Sequence, residues 1–150
     1  MRWLEAKRED VERWKKRWLH FIVRHGNRRI TSEAIQWVIH LDPLELEAPG
    51  TRVLLALEDE TLIGLCGVKE YGKSICFIVV HSDYRGQNIG RQLLRAQIKK
   101  LTRLECKVAL DNSASLRMCH SAGMSAVGYY QGTKQQPIVH LKTKVGGMTG

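Results

Sequence analysis

The stretch Val79-Val80-His81-Ser82-Asp83-Tyr84-Arg85-Gly86-Gln87-Asn88-Ile89-Gly90-Arg91 passes from an apolar strand through a polar loop into a helix. A loop that turns directly into a helix leaves several backbone N–H groups without partners, and the helix dipole adds partial positive charge there. Gly86 and Gly90 let an anion approach the main chain closely, and Asn88 tolerates positive φ. Arginine residues on both sides of the turn add fixed charge. The stretch predicts a phosphate site, and an ordinary strand-to-helix turn is the alternative.

The hydrophobic pattern on both sides of this stretch predicts seven strands and four helices. Strands are predicted at residues 1–6, 51–57, 62–68, 75–80, 107–110, 127–130 and 138–141, and helices at 9–25, 32–42, 89–101 and 113–122. This order describes an α/β (α+β) fold, a mixed sheet of about six to seven strands with helices on both faces. Because no linker or repeat interrupts the pattern, we expect one domain over residues 1–143 and a flexible tail over 144–150.

Length and composition suit a single globular domain. The chain has 150 residues, of which 43% are apolar and 26% are charged, so collagen-like and disordered classes are excluded. No apolar run approaches the roughly 18 residues of a membrane-spanning helix. The first ten residues are too charged for an export signal. We therefore expect a cytoplasmic protein that does not enter a membrane.

The net charge of +9 is unevenly distributed along the chain. Residues 1–30 carry +6, residues 31–70 carry −6 and residues 71–150 carry +9. Basic ends around an acidic middle predict an anionic ligand or partner for the basic surface. A nucleic acid, an acidic protein and a polyphosphate cofactor all remain open at this point.

The four cysteines predict no metal site and no redox motif. They are Cys66, Cys76, Cys106 and Cys119, and no two of them form a Cys-x-x-Cys pair. In a reducing compartment the simplest interpretation is that they are buried thiols that act as small apolar side chains.

Two motifs in the same order resemble those of the GNAT N-acetyltransferase superfamily. Residues 85–91 look like its acetyl-CoA pyrophosphate loop, and residues 80–84 fit the strand end before it, with Ser82 at a position that is frequently proline. Asn88 stands where the family most often has glycine. Downstream, residues 108–124 resemble the family's strand, asparagine, helix and Gly-Phe segment. With the opening strand and first helix, the resemblance covers about residues 1–143.

The resemblance implies acetyl-CoA as cofactor and assigns residues to it. The pyrophosphate would accept hydrogen bonds from the amides of Arg85, Gly86, Gln87, Asn88, Ile89 and Gly90, with added charge from Arg91. The strand before the loop would pair with the pantetheine arm through the main chain of Val79 and Val80. Asn112 and Ser115 would lie beside the arm, although Asn112 is equally suited to cap the helix that follows it.

The resemblance also implies direct attack of an amine on the thioester. The Val80 N–H is the expected donor to the carbonyl oxygen. Glu70 is the best candidate for the base, with a solvated turn charge as the alternative. Cys119 stands where the family often has a tyrosine that protonates the leaving thiolate, and a buried packing residue is the alternative. Tyr129, Tyr130, His81 and His140 are further candidates for proton transfer.

The acceptor is an unidentified amine. It could belong to a small molecule or peptide, to a protein, or to an aminoacyl-RNA held by basic residues. Those residues are Arg13, Lys16, Arg17, Arg28, Arg29, Lys99, Lys100 and Arg103. A non-catalytic acetyl-CoA-binding module is a further alternative. A homodimer and direct nucleic-acid binding are both compatible with the sequence.

Overall fold

The structure is a computed structural model that describes residues 1–27, 29–132 and 136–144. Apart from Lys144, the tail predicted over residues 144–150 lies outside these ranges, as does Arg28 among the proposed RNA-binding residues. Among the helices of the described residues, none combines the length and the apolar composition that crossing a membrane requires.

The element order is the predicted one. The helices are α1 (Arg8–His25), α2 (Ser32–Ile39), α3 (Ile89–Leu101) and α4 (Ser113–Ser121). The strands are β1 (Arg2–Glu5), β2 (Arg52–Glu58), β3 (Thr61–Lys69), β4 (Ile75–Val80), β5 (Glu105–Ala109), β6 (Met124–Gln131) and β7 (Pro137–Thr143). Short 3-10 turns occupy Pro43–Glu47, Glu70–Gly72 and Ser82–Tyr84.

The second helix is shorter than the sequence pattern predicts. It ends at Ile39 instead of near residue 42, and His40 is its C-cap. The Asp42 side chain accepts a hydrogen bond from the Leu44 N–H at 2.9 Å, which starts a separate 3-10 turn with Pro43 at its first position. A capping aspartate followed by proline therefore marks the beginning of a new turn here, not the end of α2.

The strands form two antiparallel sheets. The first has the order β1-β2-β3-β4 and the second the order β5-β7-β6. The α/β class is confirmed, but within the described ranges no ladder joins β4 to β5, so the seven strands form two antiparallel sheets instead of the one mixed sheet predicted. Both strands therefore keep one edge without a strand partner. An unpaired edge inside a domain needs another partner for its backbone groups.

Helices cover both faces of the first sheet, as predicted. One apolar cluster joins α1 and α2 to the sheet and includes Trp18, Trp37 and Phe77. The other joins α3 and α4 to both sheets and includes Leu93 and Met124. Strand β4 lies between the clusters, so its side chains alternate between them, as the two-residue period of a strand requires.

A buried polar network holds α3 against the first sheet. Gln97 is 0% exposed, and its amide nitrogen donates to the carbonyl oxygens of Arg52 at 3.2 Å and Cys66 at 3.1 Å. The Gln97 amide oxygen accepts from the Arg52 guanidinium at 3.1 Å. Because both polar atoms of this buried amide have hydrogen-bond partners, the network fixes the position of α3 on β2 and β3. The loop that enters α3 is positioned with it.

The sheets touch where β4 and β5 begin. Glu70, Tyr71 and Gly72 have φ values of 52°, 59° and 91°, which folds the turn before β4 tightly onto β5. A Cβ added to Gly72 would lie 1.8 Å from the carbonyl oxygen of Glu105. Only glycine fits this contact. The turn therefore closes one end of the gap between β4 and β5.

Gly72→Ala should lower the free energy of unfolding by about 2–4 kcal/mol, because alanine adds both left-handed strain and overlap with Glu105. Urea unfolding followed by tryptophan fluorescence measures the change. Gly128→Ala is the control, since a Cβ there meets nothing within 4 Å. We expect the control to change stability by less than about 0.5 kcal/mol. Equal losses in the two variants would contradict the close contact.

Candidate functional site

The loop between β4 and α3 has the backbone conformation that its residue types favour. Gly86 has φ of 81° and Asn88 has φ of 62°, both left-handed. Asn88 is the N-cap of α3, yet its side chain makes no capping hydrogen bond. A Cβ added to Gly86 would meet nothing within 4 Å, so the loop surface is open there. Asparagine is among the few residues other than glycine that adopt this conformation readily.

The backbone N–H groups of this loop lack a partner in the part of the chain that the structure describes. Among the described residues, no hydrogen bond is donated by the N–H groups of residues 85–91. Those of Ile89, Gly90 and Arg91 belong to the first helical turn and point outward along the axis of α3. The first turns of α1 and α2 contain acidic side chains, whereas that of α3 contains none. The N-terminal end of α3 therefore keeps the partial positive charge of the helix dipole.

The two arginines of the loop have different roles in the structure. The Arg85 guanidinium donates to the carbonyl oxygen of His25, the last residue of α1. The Nε of Arg91 is buried and has no hydrogen-bond partner among the described residues. A buried N–H without a partner is costly unless a ligand supplies an acceptor. Arg91 and the bare amides therefore fit a phosphate or diphosphate group.

Gly90 has a second role that the sequence did not indicate. A Cβ added there would lie 3.0 Å from the Sδ of Met118 on α4 and 3.7 Å from Cγ2 of Val80. The residue therefore permits α4 and the end of β4 to approach α3, in addition to leaving its amide open. A large residue at this position would disturb helix packing as well as an anion.

The open edge of β4 exposes alternate main-chain groups. The His81 N–H donates to the Ile63 carbonyl at 2.8 Å, which sets which residues of β4 face β3. Because an antiparallel ladder alternates, the N–H and C=O of Val79 also face β3, and those of Val80 and Ile78 face away from it. The main-chain groups of Val80 and Ile78 are therefore not paired with β3, whereas those of Val79 are. Only the strand register distinguishes Ile78 from Val79 in this respect.

Asn112 caps α4, which is one of its two predicted roles. Its Oδ1 accepts a hydrogen bond from the Ser115 N–H at 3.3 Å. Asn112 lies three residues after the end of β5, and the residue before it, Asp111, forms an ion pair with Arg29 at 3.0 Å. His25, four residues before Arg29, contacts the loop after β4. The last residue of α1 and the turn after it therefore contact the chain beyond the ends of both unpaired strands.

Cys119 is buried against another cysteine. Its Sγ lies 3.7 Å from the Sγ of Cys106, and the side chain is 3% exposed. The contact with Cys106 and the burial raise the pKa of the Cys119 thiol well above its ordinary value. This geometry favours the packing interpretation of Cys119 over that of a proton donor.

The candidate base lies away from the loop. Glu70 is exposed and accepts a hydrogen bond from the Ser74 hydroxyl at 2.7 Å. It precedes β4, whereas Val80 ends it, so the two are separated by the strand length of roughly 17 Å. The structure therefore does not bring Glu70 and Val80 together.

The remaining proton-transfer candidates are on the second sheet or in the loop. Tyr129 and Tyr130 are exposed on β6. His140 forms a hydrogen bond with Glu105 at 3.0 Å across β5 and β7. His81 stacks on His25, with ring centroids 4.0 Å apart. In the part of the chain that the structure describes, no three His, Cys, Asp or Glu side chains are grouped to hold a metal ion.

The comparisons with known proteins agree with this geometry. Residues 8–124 match the family described as Acetyltransferase (GNAT) family. A ribosomal-protein-alanine N-acetyltransferase from Brucella melitensis has a similar structure, with TM-score 0.67, 17% identity, and coverage of 95% of this chain and 99% of that one. A putative acetyltransferase from Salmonella typhimurium, solved with its cofactor acetyl-CoA, has TM-score 0.65, 16% identity, and coverage of 97% and 94%.

A spermidine N-acetyltransferase chimera from Vibrio cholerae and hSSAT has TM-score 0.67 and 14% identity, and covers 95% of this chain and 93% of its own. These likenesses are structural, and no curated protein matches the chain at a significant level. The family match covers most of the sequence and includes the loop after β4. The chain therefore belongs to the GNAT family of acetyltransferases, which take their acetyl group from acetyl-CoA.

Proposed function

We propose that the chain transfers the acetyl group of acetyl-CoA to a primary amine, with the cofactor on the loop and strand edge described above. The observation that carries the proposal is the continuity between two sets of unpaired backbone groups. The unpaired amides of residues 85–91 lead into α3. The free main-chain groups of Ile78 and Val80 lie just before this loop, with Val80 three residues ahead of Asp83. One extended ligand with a diphosphate at one end would satisfy both sets.

The residues of the chain supply binding and orientation. The loop amides and Arg91 bind the pyrophosphate, and the main chain of Val80 and Ile78 pairs with the pantetheine arm as an added strand would. Bound acetyl-CoA supplies a thioester that an amine can attack directly. The outward N–H of Val80 is available to donate to the carbonyl oxygen as negative charge develops on it. Because most of these donors are main-chain N–H groups with fixed positions, they are oriented before the reaction begins.

The amine must lose a proton before or during the attack. An alkylamine has a pKa near 10.4, so converting it to its neutral form at pH 7 requires a free energy of about 4–5 kcal/mol. Glu70 remains our proposed carboxylate for this proton, and because it lies roughly 17 Å from Val80 it would take the proton through a chain of several waters. Holding the amine beside the thioester supplies a further part of the rate.

The basic residues considered for an RNA-borne acceptor lie on both faces of the first sheet. Arg13, Lys16 and Arg17 lie on α1, on one face, whereas Lys99 and Lys100 lie on α3, on the other. The Arg103 guanidinium stacks on Tyr71 at 4.0 Å. The candidate RNA-binding residues on α1 and α3 thus lie on opposite faces of the first sheet. The acceptors named for the structural neighbours, a ribosomal-protein alanine and spermidine, differ from each other. We propose a small or peptide-borne amine.

A thiol-release screen with acetyl-CoA tests the function. The panel contains polyamines, peptides with free N-termini, and aminoacyl-RNA, each at 50 mM and 200 mM salt. The expected result is release of coenzyme A with one class of amine, with little dependence on salt. A steep fall with salt for aminoacyl-RNA alone would favour the RNA-borne acceptor. Tight cofactor binding without release for any amine would favour a non-catalytic module, and absence of cofactor binding would overturn the proposal.

Arg91→Gln should weaken coenzyme A binding about tenfold or more at low salt, because it removes a charged donor to the pyrophosphate. Calorimetric titration measures the Kd. Arg95→Gln is the matched control, since Arg95 lies one turn further along α3 and is exposed. We expect its Kd to stay within about twofold of the wild type. Equal weakening by both variants would point to a general charge effect and contradict the assigned contact.

Cys119→Ala should lower the free energy of unfolding by about 1–2 kcal/mol and change kcat less than about threefold, because the thiol fills space beside Cys106. Urea unfolding and steady-state kinetics on the identified amine give the two values. Glu70→Gln provides the comparison, with at least a tenfold lower kcat expected if Glu70 takes the proton. A hundredfold loss of kcat in Cys119→Ala would instead identify the thiol as a proton donor.

A further inference from the structure

His25 joins the end of α1 to the loop that follows β4. It is the last residue of α1 and is 8% exposed. Its ring stacks on that of His81, with centroids 4.0 Å apart and planes at 28°, and is tilted against Phe21 at 4.9 Å. The residue is thus enclosed between its own helix and the loop.

The hydrogen bonds of His25 define its protonation. The backbone N–H of Ser82 donates to His25 Nδ1 at 3.2 Å, and the Ser82 hydroxyl lies 3.1 Å from the same atom. A backbone N–H can only donate, so Nδ1 carries no proton, and the ring proton of the neutral imidazole is on Nε2. The Arg85 guanidinium binds the carbonyl oxygen of the same residue. Two positions of the loop are therefore attached to His25.

The contact depends on a departure from the family pattern. Ser82 stands where the family frequently has proline, which has no N–H to donate. A proline ring would also place its Cδ where the Ser82 amide hydrogen now points at His25 Nδ1. Where the family fixes this backbone with a ring, this chain fixes it with a hydrogen bond to a titratable side chain.

We propose that neutral His25 is a positioning residue for coenzyme A, because it holds the loop of residues 82–91 in its binding conformation, and that protonation of His25 releases the loop. This rests on the proposed function, since it takes the pyrophosphate to bind at residues 85–91. A proton on Nδ1 would turn the bond from the Ser82 N–H into a repulsion between two donors. The ring could then donate only to the Ser82 hydroxyl oxygen, so the backbone of the loop would lose its attachment to His25.

The surroundings of His25 determine the direction of the pH effect. Burial lowers the pKa of His25, and the positive or titratable groups His81, Arg24 and Arg85 lower it further, while Asp83 acts in the opposite sense. A histidine with a lowered pKa stays neutral at pH 7 and becomes charged only below its ordinary value of about 6.5. Cofactor affinity should therefore be complete at neutral pH and be lost as the pH falls.

The probe for the test is 3′-dephospho-coenzyme A, because its diphosphate does not titrate near pH 6, unlike the 3′-phosphate of coenzyme A. Calorimetric titration gives the Kd of the wild type from pH 7.5 to pH 5. One pH unit below the pKa of His25, only about a tenth of the molecules are neutral, so the Kd should rise roughly tenfold.

Three variants separate this role from packing. In His25→Asn the amide oxygen can accept from Ser82 but does not titrate, so the Kd should stay near the wild-type value at pH 7.5 and vary less than about twofold with pH. His25→Leu keeps the packing but has no acceptor, so it should bind about fivefold to tenfold more weakly at every pH. His20→Asn, at an exposed histidine of the same helix, should titrate as the wild type does.

The outcomes are distinct. Acid sensitivity that persists unchanged in His25→Asn would place the titrating group elsewhere, for example at His81, and would overturn the proposal. Wild-type affinity in a folded His25→Leu variant, verified by its cooperative thermal unfolding, would also overturn it. If the wild type binds the probe at no pH, the proposed function itself fails. Tight binding that is independent of pH removes only the role of His25.

Discussion

The gap between β4 and β5 is the constraint on which the rest of the structure depends. The two strands are held together where they begin, because the turn ending at Gly72 lies against the backbone of Glu105. Further along, no ladder among the described residues satisfies the outward groups of Val80 and Ile78. Unpaired backbone inside a domain is unfavourable unless water or a ligand completes it. The separation of the sheets therefore leaves free the main-chain groups that we propose for binding the cofactor.

The parts around the gap hold it open in a defined shape. Two apolar clusters on opposite faces of the first sheet prevent β4 from moving toward either helical layer. The Gln97 network fixes α3 and thereby the amides at its N-terminus. His25 at the end of α1 contacts the chain beyond β4, and Arg29 after α1 contacts the chain beyond β5. The loop of residues 85–91 is thus supported from its helix, from its strand and from α1.

The catalysis that we propose depends more on the main chain than on side chains. The donors proposed for the cofactor are mostly amides, which need no particular residue type beyond glycine and asparagine where φ is positive. The side chains proposed for proton transfer are less well placed, since Glu70 is at the far end of β4 and Cys119 is buried against Cys106.

The sequence by itself determined the element order, the loop after β4 and the family, because glycine, asparagine and arginine spacing is a local property of the chain. It also supported a capping role for Asn112. The tertiary structure decided that Ile78 rather than Val79 offers its main chain, because strand register depends on pairing with β3. It alone brought His25 to Ser82, which are 57 residues apart, and divided the basic residues between two faces. Such contacts depend on how helices pack on a sheet, and no local pattern of residues encodes them.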